Sequence, residues 1–228
     1  MTNLLDTRIP VCIFAKPPEA PEVKTRLIPA LGAHGAAELA SAMLQDAWHT
    51  VSSCTGVRPV LATTRLGRFP ILAAAADVGP QDIWLQGEGD LGQRIERILI
   101  RGLNDASAAM AVGADSPTLT AAHLQCALDG LVGHEAVLGP CPDGGFYLIA
   151  LRRCMPGLLA SLPWSTPETL RAVKQRLQAH GFSIAELQPL FDVDTPADLK
   201  ELAHPNTGPA TRAWVSRKSC ESPSLFQR

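Results

Sequence analysis

The chain has 228 residues and a mass of 24.2 kDa, the size of one ordinary domain with one core and little room for two. Hydrophobic residues at 46% and charged residues at 18%, with 18 Gly and 19 Pro spread through the chain, exclude a disordered or fibrous class. The 20 Lys and Arg against 22 Asp and Glu give a formal net charge of -2, which excludes the broad cationic field of a nucleic-acid-binding domain, so any anion site must be local.

Met1 to Pro10 holds Asp6 and Arg8 and no apolar centre, so it does not read as a signal peptide, and no apolar run reads as a membrane span. Ile9 to Ala15 is a short apolar run stopped by Lys16-Pro17-Pro18 and reads as a buried strand feeding a loop. Apolar residues from Ala36 to Val51 recur at helical spacing. Val57 to Thr63 reads as a strand, Asp82 to Gln86 as a weaker one, and Leu91 to Leu103 as a helix. Ala109 to Gly113 is a buried strand ended by Asp115-Ser116-Pro117, and Thr120 is placed to cap a helix from Ala121 to Leu131. Strands near Ala136 to Leu138 and from Phe146 to Leu151 flank a Pro/Gly-rich loop and suggest a hairpin-like pair.

Ser165 or Thr166, followed by Pro167, marks the start of a helix to His180, with Gly181 at its end. Ser183 to Leu187 reads as a last strand, and Thr195-Pro196 as the start of a helix to Ala203. From Pro205 to Arg228 the chain is polar and aperiodic and is expected to be a disordered tail. Strands alternating with helices predict an α/β fold with a largely parallel sheet, whose ligand sits beyond the carboxyl ends of the strands. The six cysteines lack Cys-x-x-Cys or Cys/His zinc spacing and read as free thiols, in keeping with a cytoplasmic location.

Polar motifs fall where these strands end. Lys16, Lys24 and Arg26 share one turn-rich segment, a combination suited to a phosphate chain, although Glu19 and Glu22 offset its charge and a solvated charged face remains an alternative. The segment lacks the Gly-x-x-x-x-Gly-Lys-Ser/Thr pattern of a P-loop. Asp115 follows one strand and Asp192 and Asp194 follow another, and Mg²⁺ characteristically takes one or two carboxylates plus substrate phosphates. Asp194 could equally serve only the N-terminus of the next helix. Asp143-Gly144-Gly145 permits close backbone approach to a ligand or simply a tight turn.

Taken in order, Phe14-Ala15-Lys16-Pro17-Pro18, Val23-Lys24-Thr25-Arg26-Leu27, Gln86-Gly87-Glu88-Gly89-Asp90-Leu91-Gly92, Gly113-Ala114-Asp115-Ser116-Pro117, Gly139-Pro140 with Asp143-Gly144-Gly145-Phe146-Tyr147-Leu148, Trp164-Ser165-Thr166 and Asp192-Val193-Asp194-Thr195-Pro196 form a pattern. It resembles the radical-SAM/selenodomain-associated transferase family, within the nucleotide-diphospho-sugar transferase superfamily of glycosyltransferase-A fold, and is similar to the 2-phospho-lactate guanylyltransferases. The resemblance implies a Rossmann-like sheet, a transferase domain over residues 9–203, and a 204–228 tail outside it. It implies a nucleoside triphosphate or nucleotide sugar as donor, a small-molecule acceptor, and Mg²⁺ or Mn²⁺ as cofactor.

Residue by residue, the resemblance assigns Lys16, Lys24 and Arg26 to the nucleotide, and Lys24, Arg26 and Asp115 to catalysis. It assigns Asp115 and Asp194 to the metal, and Asp143, Gly144 and Gly145 to the acceptor. Gln86, Asp90 and Arg94 match a further polar stretch of unspecified role. Where the family usually has Pro-Gly before Val-Lys-Thr-Arg-Leu, this chain has Ala20-Pro21, and proline has no N–H to offer a phosphate. The expected reaction is nucleotidyl transfer to a small phosphorylated or hydroxylated acceptor, with glycosyl transfer from a nucleotide sugar as the alternative. A non-catalytic nucleotide-binding protein is the third reading.

Overall fold

The computed structural model describes residues 8–70, 79–221 and 226. Its strands are β1 (Ile9–Ala15), β2 (Val57–Thr63), β3 (Ile83–Leu85), β4 (Ala109–Gly113), β5 (Ala136–Pro140), β6 (Phe146–Leu151) and β7 (Ile184–Glu186), in one sheet of order β3-β2-β1-β4-β6-β5-β7. β1 pairs in parallel with β2 and β4, β2 with β3, and β5 with β7; β6 runs antiparallel to both β4 and β5. The expected mostly parallel α/β sheet is therefore what forms. The hairpin-like pair is β5 and β6, joined across the Pro/Gly-rich loop.

Helices α1 (Ile28–Ser52), α2 (Leu91–Leu103), α3 (Ala121–Gly133) and α4 (Thr169–Ala179) cover the two faces of the sheet. Alternate residues of each central strand point to opposite faces, and both faces of β4 and β6 are apolar. Met110, Val112, Leu148 and Ala150 meet Leu44, Val51, Leu124 and Leu131 of α1 and α3. Ala109, Ala111, Ile149 and Leu151 meet Leu99, Val173 and Leu177 of α2 and α4. Burial on both faces is what turns these strands into continuous apolar runs.

One boundary and one helix type differ from the sequence reading. α4 begins at Thr169, because Ser165 takes a positive φ and the Thr169 hydroxyl donates to the Pro163 carbonyl at 2.7 Å, closing a turn ahead of the helix. Pro196–Ala203 forms a 3₁₀ helix. The Thr25–Ser52 segment is, by length and composition, long and apolar enough to cross a membrane, contrary to the sequence reading. Here its apolar face, including Leu39, Met43, Leu44 and Val51, is buried within the fold.

The expected disordered tail is corrected. Residues Pro209–Glu221 form a helix, α5, packed on α1. Its first turn is capped from another element: the buried Asp46 carboxylate of α1 accepts the N–H groups of Ala210 and Thr211, both at 2.8 Å. Trp214 sits in a cluster with Leu27, Met43, Val193 and Leu199, and its indole N–H donates to Glu38 Oε2 at 3.2 Å. The helix has no local cap and no regular apolar stripe, so its stability comes from docking, which local pattern does not reveal.

Candidate functional site

Beyond the carboxyl ends of β1, β2 and β4 lies a cleft of about 800 Å³. Lys16, Lys24, Arg26, Asp115, Asp143, Gly145 and Asp194, all anticipated from the sequence, line it. The segments supplying them are stitched together by backbone bonds. Val193 N–H donates to the Asp115 carbonyl at 3.0 Å, and Gly208 N–H to the Pro117 carbonyl at 2.9 Å. Leu27, fully buried, anchors the first loop in the same apolar cluster as Val193.

At the centre is Lys24. Its ammonium lies 2.8 Å from Asp115, 2.7 Å from Asp194 and 2.6 Å from the Val193 carbonyl, so it is on the carboxylates and not free toward the open cleft. Burial opposes its charge, but the two carboxylates outweigh that cost and hold its pKa above the ordinary lysine value. The backbone of Lys24 is left-handed, φ 49° and ψ 44°. That conformation costs a non-glycine residue about 1–3 kcal/mol, which the triple contact of its side chain offsets.

Asp194 is itself held. Asp198 Oδ2 accepts from the backbone N–H groups of Asp194 and Thr195 at 3.0 and 2.7 Å and from the Thr195 hydroxyl at 2.9 Å. The sequence reading passed over Asp198, although Thr195-x-x-Asp198 carries the spacing of a capping box. The alternative in which Asp194 merely serves the helix is thus separated from the site role: Asp198 does the capping, and the Asp194 side chain points to Lys24.

The other cations lie along the same cleft. Among the described residues, no hydrogen bond or ion pair engages the side chains of Lys16 and Arg26, which are exposed. Arg94 also lines the cleft, steadied by its Nε donating to the Gly89 carbonyl at 2.9 Å. Of its two companions in the sequence pattern, buried Gln86 reaches the cleft lining while donating to the Ala62 carbonyl, and Asp90 caps α2 through Gln93. Arg65 pairs with both Glu19 and Glu22 at 2.8 Å, so one guanidinium offsets part of the acidic charge of the first loop. Ala20 lines a separate cavity of about 610 Å³ between α1 and α5, while Glu22 and Val23, just after Pro21, line the cleft.

The Asp143 loop divides its duties. Asp143 and Gly145 line the cleft, with the Gly145 N–H donating to Asp143 Oδ1 at 2.8 Å. Gly144 instead turns to the body of the protein: its φ is +89°, its carbonyl accepts from Leu170 N–H, and a Cβ there would lie 2.1 Å from the Pro167 carbonyl oxygen. Unlike Asp143 and Gly145, it is not among the residues lining the cleft, and it shapes the turn between them. Asp192 adds a carboxylate to this wall. Burial, then Asp143 and Asp194, push its pKa up to about 6. Beside it the Cys141 thiol is raised by burial and by the same carboxylates. Phe146 and Trp164, edge to face at 6.1 Å, supply an apolar wall.

The mostly parallel seven-stranded sheet flanked by helices is the nucleotide-diphospho-sugar transferase fold. It is similar to a solved candidate nucleotide-diphospho-sugar transferase from Desulfovibrio desulfuricans G20, at 25% identity and TM-score 0.82, covering 95% of this chain and 97% of that one. A CMP:2-keto-3-deoxy-manno-octonic acid synthetase solved with CTP aligns at 15% identity and TM-score 0.55, over 92% of this chain and 99% of the other. A cytidylyltransferase from Leptospira borgpetersenii serovar Hardjo-bovis (strain JB197) aligns at 14% identity and TM-score 0.52, over 97% and 98%. No curated protein sequence matches. The chain belongs to the family described as "Uncharacterized protein conserved in bacteria (DUF2064)", whose family model matches residues 47–166.

Proposed function

We propose that this protein is a divalent-metal-dependent nucleotidyltransferase of the nucleotide-diphospho-sugar transferase superfamily, related to the radical-SAM/selenodomain-associated transferases. The observation that carries the reading is that Asp115 and Asp194 share one cation while Lys16, Arg26 and Arg94 line the same cleft. The Lys24 ammonium is a stand-in ion: it demonstrates that both carboxylates can converge on a single positive centre, and hard carboxylate oxygens suit Mg²⁺ or Mn²⁺. Asp115 and Asp194 would hold that metal, which when bound polarises phosphoryl oxygens and offsets their charge.

The chain's own groups supply the rest. Lys16, Arg26 and Arg94 offer fixed positive charge to a triphosphate and to the pyrophosphate that leaves it, worth more in a recessed cleft than in open water. Phe146 and Trp164 give an apolar wall against which a base or an acceptor can pack. Asp143 and Gly145 face the acceptor, whose hydroxyl or phosphate oxygen attacks the α-phosphorus while pyrophosphate departs.

Glycosyl transfer from a nucleotide sugar is the second reading, supported by the likeness to the D. desulfuricans protein over nearly its whole length. A thermal-shift screen of nucleoside triphosphates and nucleotide sugars with and without Mg²⁺ identifies the donor, since a ligand that binds the folded state raises the melting temperature. The released product then decides the reaction: pyrophosphate for nucleotidyl transfer, a nucleoside diphosphate for glycosyl transfer. Binding without either product across an acceptor panel would leave a non-catalytic nucleotide-binding protein.

A further inference from the structure

An ammonium has three N–H donors, and Lys24 has spent all three inside the protein, on Asp115, Asp194 and the Val193 carbonyl. Its side chain is 7% exposed, whereas those of Asp115 and Asp194 are 49% and 45% exposed. The lysine is therefore shut in while the carboxylates stay open on their other sides. In this arrangement it has no donor left for a phosphate. Asp143 and Asp192 line the same cleft together with the cations Lys16, Arg26 and Arg94, and Asp192 is placed to interact with both Asp194 and Lys24.

We propose that Lys24 is a captive cation, a positioning residue that occupies the divalent ion's place between Asp115 and Asp194 in the ligand-free protein and must be released before the metal can bind. Two cations cannot share the inner oxygens of the same carboxylate pair without repelling each other. The divalent ion wins only at the cost of parting Lys24 from its three partners, and the freed ammonium then turns into the cleft. The assignment of the carboxylates as metal ligands rests on the nucleotidyltransferase reading, but the competition itself concerns metal and lysine alone and stands or falls without any nucleotide.

The test titrates Mn²⁺ alone, followed by electron paramagnetic resonance, into wild type, Lys24→Gln, Lys24→Arg and the Lys24→Gln/Asp115→Asn double variant. Removing the captive charge should tighten Mn²⁺ binding by roughly fivefold or more, the lower end of ordinary coupling. Lys24→Arg, which keeps the charge, should bind as weakly as wild type, and Asp115→Asn should reverse the gain. Equal or weaker Mn²⁺ binding by Lys24→Gln would overturn the proposal. Lysine acetylation read by mass spectrometry tests the wild-type protein directly, with exposed Lys16 as the internal standard. Lys24 should label far more slowly than Lys16 without metal and should gain reactivity at saturating Mn²⁺. Labelling of Lys24 that Mn²⁺ leaves unchanged would refute release, whether or not the glutamine variant folds.

Discussion

Replacing Trp214 with alanine tests whether the C-terminal helix belongs to the core. The indole is 2% exposed and packs among Leu27, Met43, Val193 and Leu199. A buried aromatic side chain covers about 150–250 Å², which at about 25 cal/mol per Å² corresponds to roughly 4–6 kcal/mol as an upper bound. Large-to-small substitutions of this kind cost about 3–5 kcal/mol in practice. The lost bond to Glu38 adds little, because that carboxylate keeps Arg217 at 3.3 Å and Lys218 at 3.6 Å. For a chain of this length each kcal/mol moves the melting temperature by about 2–4 °C, so a fall of roughly 6–20 °C is expected. Urea unfolding followed by circular dichroism measures the free energy, with a chain truncated after Gly208 as the companion. A cost below about 1 kcal/mol for Trp214→Ala, or an unchanged midpoint on truncation, would refute the docking argument.

Asp115→Asn and Asp194→Asn should each lower metal-dependent turnover by at least about a hundredfold while the fold persists; Mg²⁺ titration of activity checks this, and wild-type activity at ordinary Mg²⁺ removes that residue from the site. Gly144→Ala must place a Cβ 2.1 Å from the Pro167 carbonyl at a φ of +89°, so it should destabilise by about 2 kcal/mol or more, measured by denaturant melts. Asp192 has a folded-state pKa raised from 3.8 to about 6, so the folded metal-free protein binds its proton more tightly than the unfolded chain. Its contribution to stability therefore falls as pH rises from about 4 to about 6, and Asp192→Asn should remove that decline, seen as a wild-type-minus-variant difference in unfolding midpoints across this range.

Much of the fold was legible because its signals are local. β1, β4 and β6 are apolar runs next to proline, glycine or aspartate, since strands buried on both faces have no polar side to interrupt them. Thr120 and Thr195 marked helix starts through capping residues within one turn of the chain. The site was legible in outline for the same reason: loops after parallel strands converge, so Lys16, Lys24, Arg26, Asp115, Asp143 and Asp194 could be gathered from their places in the pattern.

What sequence order could not supply were the partners that come from far along the chain. Lys24 reads as a phosphate ligand until its ammonium is found on residues about 90 and 170 positions away, an estimate of separation that no local period encodes. Glu19 and Glu22 look unpaired until Arg65, just past β2, is found on both. The tail looks unstructured because the cap on its helix is Asp46, in α1. Composition and periodicity determine which segments become strands and helices, since those depend on neighbours a few residues away. Which charge meets which charge is a property of the packed sheet and its loops, decided by distances that exist only after the chain has folded.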